Sequence, residues 1–497
     1  MMRIAFVLAA TSMLAAPLQA TRISEDDLRP HIETLASDDY EGREPGTEGE
    51  KRTIAYISAQ WAKAGLVPAA TDGSWFDPVA LVRRGPDKAE VKFHARGERL
   101  RFADDEIVLV GKYTDYAAEK MPLWFAGYGV DGNGKVSPDV AGKVVFFLAD
   151  RPAFGEEAMK SLTARRRALI AAGAEGVIAI GGEQTDYPLI RRLLLARPIT
   201  SVARDVRAPL EGVVGAQFAV AMVTQSGGDW DALRKSANAA DFGGKLLNVT
   251  GDFIVKSNVQ MFDSPNVIGK IAGRKAGSGA VLYMGHWDHL GVCRPEGDAD
   301  RICNGAVDNA SGIAVMTEVA RELAKGKHDR DIYFVATTAE EAGLYGAYAF
   351  AEKPAVPLDD IVVALNIDTI AIAPKGARVA IIGRGTTKLD KEIEGVARKA
   401  KRKIEGSEDA NAFIRRQDGW ALTQKGVPAL MVGGSFADLK LLEAFLDGPY
   451  HGPEDELTAG TELGGAAEDA NLHVALGKHF ASTKKHKAEP EPKKTGG

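Results

Sequence analysis

Cysteine is scarce in this 497-residue chain, which has two, Cys293 and Cys303. Aromatic residues make up 7% of the sequence, and the net charge of −6 leaves no excess of basic side chains. Without a basic stripe, nucleic acid is set aside as a partner. The chain has no GxxxxGK phosphate loop and no strand–GxGxxG–helix unit, the patterns that mark phosphate, nucleotide and flavin sites. Past the N-terminus no apolar run reaches the roughly 20 residues that span a bilayer, so stable membrane insertion is not expected.

The N-terminus is the exception in hydrophobicity. Arg3 precedes an apolar run from Ile4 to Ala16, and Leu18-Gln19-Ala20 has the form of a cleavage site. This is the shape of a secretory signal peptide over residues 1–20, and it predicts export to the periplasm or medium. In an exported chain the two cysteines, which flank one short loop, are expected to pair; two free thiols are the alternative.

Residues 21–87 begin with helical spacing of Ile32, Leu35, Ile54, Ile57, Trp61 and Leu66, interrupted by the acidic, glycine-rich SDDYEGREPGTEGE. From 88 to 255 short strand-like runs with turns at GNG and AGK predict a β-rich insert with its own core. From 256 to 480 strand and helix alternate. Apolar runs at 280–284, 331–338, 361–367, 378–383 and 428–433 are separated by stretches such as 312–325 with a helical apolar face. That pattern predicts an α/β fold, a mostly parallel central sheet flanked by helices. The segment 481–497 lacks apolar residues and is expected to be disordered.

The chemistry-bearing residues follow the apolar runs. GHWDHLG at 285–291 follows the first, an EE pair at 340–341 the second, and Asp368 the third. In an α/β sheet all three therefore reach the carboxyl edge, where ligands gather. NGAVDNASG at 304–312 and YHGPED from Tyr450 add Asp308 and His451. Histidine with carboxylate is the ligand set of a hydrolytic zinc site, and two histidines and three acids, one of them shared, are about what two adjacent metal ions need. Each residue also has a plainer reading. His286 could be a core histidine, and Asp308 could cap the helix that follows it. Glu340-Glu341 could be a solvated acidic loop, and His451 a surface histidine. His289 falls one residue out of phase with His286 and Asp288 and is the less favoured ligand. Adjacent buried carboxylates at 340–341 require a cation or a proton, which makes that pair the sharpest signal.

The ordered set resembles the co-catalytic zinc aminopeptidase family, in the superfamily of glutamate carboxypeptidase and the transferrin receptor. The resemblance covers about 262–480 and SDDYEGREPGTEGE. More loosely, 88–255 resembles the protease-associated domain inserted in such enzymes. It implies a zinc exopeptidase fold and two Zn2+ ions. His286 and Asp368 would bind one ion, Glu341 and His451 the other, and Asp308 both. Glu340 would be the general base, and Asp288 would hold His286. A cis peptide is implied after Asp308. The chain departs from the family at Gln417-Asp418-Gly419, where relatives have Ser-Asp-His, and at Cys303, where a tyrosine is common. These departures bear on substrate preference.

The expected activity is hydrolysis of the first peptide bond of a peptide or protein with a free N-terminus. A carboxypeptidase on the same scaffold is an alternative that Arg415 and Arg416 keep open. Others are a glutaminyl cyclase, marked by a single zinc, and a non-catalytic receptor-like protein.

Overall fold

The computed structural model describes residues 22–102, 106–155, 157–182, 187–196 and 198–487. The signal segment and residues 488–497 lie outside the described residues. No helix among those described is long and apolar enough to cross a membrane.

Five runs expected as strands form one edge-to-edge series. The order is Ala380–Ile382, Ala429–Gly433, Ile361–Asn366, Ala280–His286, Asp331–Thr337, and then the long strand Lys245–Ile271. The Ala280–His286 strand runs parallel to both neighbours, and Ile361–Asn366 runs parallel to Ala429–Gly433. The two outer pairings are antiparallel. The sheet is therefore mixed but mostly parallel at its centre, and its central strands are buried at all but one position each in Asp331–Thr337 and Ile361–Asn366, as helices on both faces require. From Ala280–His286 the chain passes to one side for Asp331–Thr337, then to the other for Ile361–Asn366. The carboxyl ends of these three strands thus open onto a topological switch point.

The helix Ser311–Ala324 lies on one face, and Ile313, Met316, Val319, Ala320 and Leu323 join the main core. Glu25–Leu35, Glu48–Ala64 and Gly464–Phe480 pack around it. Glu48–Ala64 starts at Thr47, whose hydroxyl accepts from the Glu50 amide, and ends at Gly65 in the left-handed conformation.

Residues 75–84 and 90–102 read as separate short strands, with Gly85-Pro86 between them. The structure instead runs one strand from Phe76 to Ala95, antiparallel to Lys245–Ile271 along almost its whole length. The ribbon absorbs Pro86 at a register shift between Lys256 and Ser257, where the lost proline N–H breaks no regular ladder. Its lower end, Val267–Ile271, pairs with Asp331–Thr337, while Lys245–Lys256 pairs with Asp115–Phe125. Positions 88 and 256 are partners across the ribbon. Beyond it, Asp115–Phe125, Val144–Leu148, Gly176–Ile180 and Leu210–Val214 are mutually parallel. This part is therefore α/β in character, with helices such as Leu162–Ala171 and Ala216–Gln225, and it has apolar clusters separate from those of the main sheet.

The chain does not lose its structure at Phe480, contrary to the composition-based expectation. Ala481 and His486 are buried, the Asp329 carboxylate accepts from the Thr483 amide, and Arg330 donates to the carbonyls of Phe480 and His486. Backbone carbonyls met by a buried arginine fix this segment without any apolar run.

His473 is fully buried on Gly464–Phe480, with Nε2 donating to the Val432 carbonyl, and burial pushes its pKa down to about 4. A depressed histidine stabilises the fold above its unfolded pKa, and that stability is lost as pH falls from about 6.5 through 4. The contribution is about 3 kcal/mol. In chelator-treated protein, urea midpoints at pH 7 and pH 4 should therefore differ less for His473→Gln than for the wild type. Equal differences would remove His473 from the acid response.

Candidate metal centre

His286 ends its strand, and its Nδ1 lies 3.1 Å from the Asp288 carbonyl oxygen. A carbonyl only accepts, so Nδ1 carries the hydrogen and Nε2 faces the cleft. That Nε2 is 3.2 Å from Asp308 Oδ1 and 3.4 Å from Asp368 Oδ1. On the other side His451 Nε2 is 3.4 Å from Asp308 Oδ2 and 3.0 Å from Glu341 Oε2. The two oxygens of Asp308 are thus divided between two sets, each with one histidine and one further carboxylate.

Local structure explains these positions. Asp308 does not cap the helix: the side-chain oxygen of Asn309 accepts from the Gly312 amide instead, which frees the Asp308 carboxylate. The Asp308–Asn309 peptide is cis. Asp455 holds the preceding turn, accepting from the amides of Val307 and Asp308 at 2.9 and 3.0 Å. His451 has a positive φ of 59° in its Gly/Pro loop, and the Tyr450 ring stacks on it at 3.7 Å. Asp368 receives the Thr369 hydroxyl at 2.9 Å. Cys293 and Cys303 form a disulfide with Cα atoms 5.7 Å apart, and Cys303 Sγ lies 3.4 Å from the His451 carbonyl oxygen.

Two details differ from the sequence reading. The Asp288 carboxylate was expected to hold His286, yet it is 3.8 Å from Nδ1, and the contact with the ring comes from its main-chain carbonyl. The carboxylate instead accepts from the amides of Glu340 and Glu341, at 3.1 and 3.4 Å. His289, the less favoured histidine, is buried with Nδ1 2.6 Å from Glu341 Oε1, so it touches the site through Glu341. Asp455 and His289 lay inside the quoted motifs, but spacing alone gave them no role. Asp418, whose carboxylate accepts from Thr337 at 2.5 Å behind the site, had no signal beyond its place in a departing motif.

The electrostatics fit a cation. A neutral His286 would aim an Nε2 lone pair at two carboxylate oxygens. His451 Nε2 is buried and has no hydrogen bond of acceptable direction despite its close carboxylates. Burial works against a charged His286, but Glu340, Asp368 and Asp308 outweigh it and raise its pKa well above normal. His451 is likewise raised against burial to about 9 by the Asp308 and Glu341 carboxylates that face it. Burial pushes Asp288 up to about 7 and Asp455 to about 6. Glu340 is raised by burial and by Glu341, Asp418 and Asp368, against the pull of His286. No described residue hydrogen-bonds the Glu340 carboxylate. Two imidazoles, three carboxylates and the unpartnered His451 Nε2 suit zinc, which takes nitrogen and oxygen ligands at about 2.0–2.2 Å.

Beside the site is a pocket lined by Phe413, Met431, Phe436, Leu442 and Leu446, with Tyr450 and Arg416. Arg416 lies over the Phe413 ring, whereas Arg415 lies over Trp420.

The centre and the sheet that carries it are those of a metallopeptidase domain. Residues 266–473 match the profile of Peptidase family M28, so this part of the chain carries a domain similar to that family's. Over 241 residues it is 28% identical to a "Probable zinc metalloprotease" of Pyricularia oryzae, covering 45% of each chain. A "Vacuolar membrane protease" of Candida glabrata is 32% identical over 98 residues, 20% of this chain and 9% of that one. The chain thus spans less than half the length of these curated relatives. In fold it is similar to an aminopeptidase from Aneurinibacillus sp., with a TM-score of 0.58 at 18% identity over 95% of this chain and 97% of that one. A zinc aminopeptidase from Bacillus subtilis gives a TM-score of 0.50 at 18% identity over 93% and 96%.

Zinc titration of variants checks the division of Asp308. Asp308→Asn should weaken uptake in both sets by more than about 100-fold, whereas His451→Ala should affect one set only. Equal zinc content in Asp308→Asn and wild type would show that Asp308 binds no metal.

Proposed function

We propose that the chain is an exported di-zinc metallo-exopeptidase, an aminopeptidase acting on the first peptide bond of a peptide or protein with a free N-terminus. The observation that carries this reading is the sharing of Asp308 between two histidine–carboxylate sets. His286, Asp308 and Asp368 would hold one zinc, and His451, Asp308 and Glu341 the other. When bound, the ions polarise the scissile carbonyl and lower the pKa of a water to about 7.

The protein's own part is positioning and proton transfer. Glu340 lines the pocket beside His286 and Asp308, and its raised pKa brings it closer to neutrality. It takes a proton from the attacking water and passes it to the nitrogen of the leaving amine as the carbon–nitrogen bond breaks. Asp288 holds the backbone of Glu340 and Glu341 together. The apolar pocket receives the first side chain, and the surplus of carboxylates attracts a free α-ammonium group.

Arg416 supports a second reading, a carboxypeptidase, because its guanidinium reaches the same pocket and could meet a terminal carboxylate. Aminoacyl, N-blocked and C-amidated peptides separate the two. Aminopeptidase activity is abolished by N-blocking and unaffected by C-amidation; the opposite pattern would replace the first reading with the second.

Glu340→Gln should retain zinc and lower kcat by roughly 10²–10⁴-fold. Near-normal turnover with metal bound would remove Glu340 from proton transfer.

The segment 88–255 is read as an inserted lobe that limits access without doing chemistry. Separate apolar clusters and a boundary that falls at facing positions of one ribbon support this. Replacing 88–255 with a short turn should shift preference from short towards long peptides while zinc content stays at the wild-type level. Loss of zinc would make the lobe part of the metal site. Export rests on the N-terminal pattern, and the disulfide suits an oxidising compartment. Mature protein should begin near Thr21 by N-terminal sequencing.

A further inference from the structure

SDDYEGREPGTEGE contains none of the proposed ligands, yet it reaches the metal centre through one side chain. Glu41, Gly42 and Arg43 all have positive φ, at 50°, 62° and 56°. A Cβ on Gly42 would lie 2.4 Å from the Cys303 carbonyl oxygen and 2.8 Å from Gly291 Cα, so only glycine lets the turn press against the disulfide hairpin. That close approach drives Arg43 inwards, to 1% exposure.

The Arg43 guanidinium is surrounded by main-chain carbonyls and pairs with no carboxylate among the described residues. Nε donates to Trp287 O at 3.0 Å. Nη1 donates to Leu35 O at 2.8 Å and Asn304 O at 2.5 Å, and Nη2 to Gly305 O at 2.9 Å. Its own carbonyl accepts from the His289 amide. Trp287 stands between His286 and Asp288, and Asn304-Gly305 leads into Asp308. One planar fork therefore joins the segment that carries the first histidine to the one that carries the shared carboxylate. Its unpaired charge sits behind Asp308, Asp288, Glu341 and Asp455, and the charges of all four act on it. A buried cation there offsets the mutual repulsion of the carboxylates that converge on the cleft.

We infer that Arg43 is a positioning residue that assembles the metal cage before any metal arrives, by fixing the His286 segment against the Asp308 segment. The inference rests on the metal reading above but makes a separate claim, namely that the cage does not need its ions in order to form. Lysine keeps the charge but lacks the fork, so it cannot bridge the same carbonyls.

Two measurements test it. The first is amide exchange over 286–308 in wild-type protein, stripped of zinc and loaded with it. Protection of His289 and of Ala306–Asp308 should be the same in both forms within about threefold. Exchange there that slows only on zinc addition would mean that metal assembles the cage, and the inference falls. The second is stepwise zinc affinity of Arg43→Lys by chelator competition, with KM and kcat. Affinity should drop by about tenfold or more. At limiting zinc kcat should fall with KM little changed, and excess zinc should restore it. A folded variant with wild-type zinc affinity overturns the inference, even if its melting temperature is lower, because that leaves Arg43 a structural role only. If the variant does not fold, the wild-type exchange result decides. Wild-type protein that binds no zinc removes the metal reading and this inference together. Zinc binding that is equal in both proteins removes only the inference.

Discussion

The structure depends on keeping Asp308, Glu341 and Asp368 close together and away from water. Like charges at such separations repel, and burial removes the solvent that would screen them. What surrounds them answers that constraint. His286 and His451 stand between the carboxylates, and Asp455 spends its own charge on two amides. Arg43 places a positive charge behind the group without neutralising any single member. The switch point of the sheet supplies the geometry, since three adjacent strand ends deliver side chains to one edge with little loop between.

Much of this arrangement is legible in the sequence because strand ends are legible. His286, Glu340, Glu341 and Asp368 each follow a run of apolar residues, so their edge can be deduced without knowing the fold. Asp308 and His451 are harder, because they sit on loops whose course depends on distant partners. Asp308 is freed only because Asn309 takes the capping role, and His451 depends on a left-handed backbone angle that its neighbours permit. Arg43, His289 and Asp455 act through main-chain atoms or through another side chain, and spacing carries no signal for such contacts. The role of Asp288 shows the same limit: the residue could be picked out, but not which of its oxygens meets which neighbour.

The lobe shows how a sequence reading divides what the chain keeps continuous. Composition changes near 88 and 255, yet the Phe76–Ala95 and Lys245–Ile271 strands run through both points as one ribbon. The same ribbon contributes Val79, Leu81 and Phe262 to a small apolar cluster with Val202, and with Ala339, Ala342 and Tyr345 around the Glu340–Glu341 turn. The two-stranded ribbon therefore touches the turn that bears the two glutamates, and Val202 of the 88–255 segment shares that packed contact.

The Asp288 carboxylate divides its two oxygens between the amides of Glu340 and Glu341. The proposed proton carrier and a proposed metal ligand are consequently mounted on one bracket. Loosening the bracket displaces both side chains at once, so damage at Asp288 would not add to damage at either glutamate. Adjustment faces the same coupling. The chain cannot shift the Glu341 carboxylate through this bracket without also moving Glu340, so the metal grip and the proton transfer proposed for the two would drift together or stay fixed.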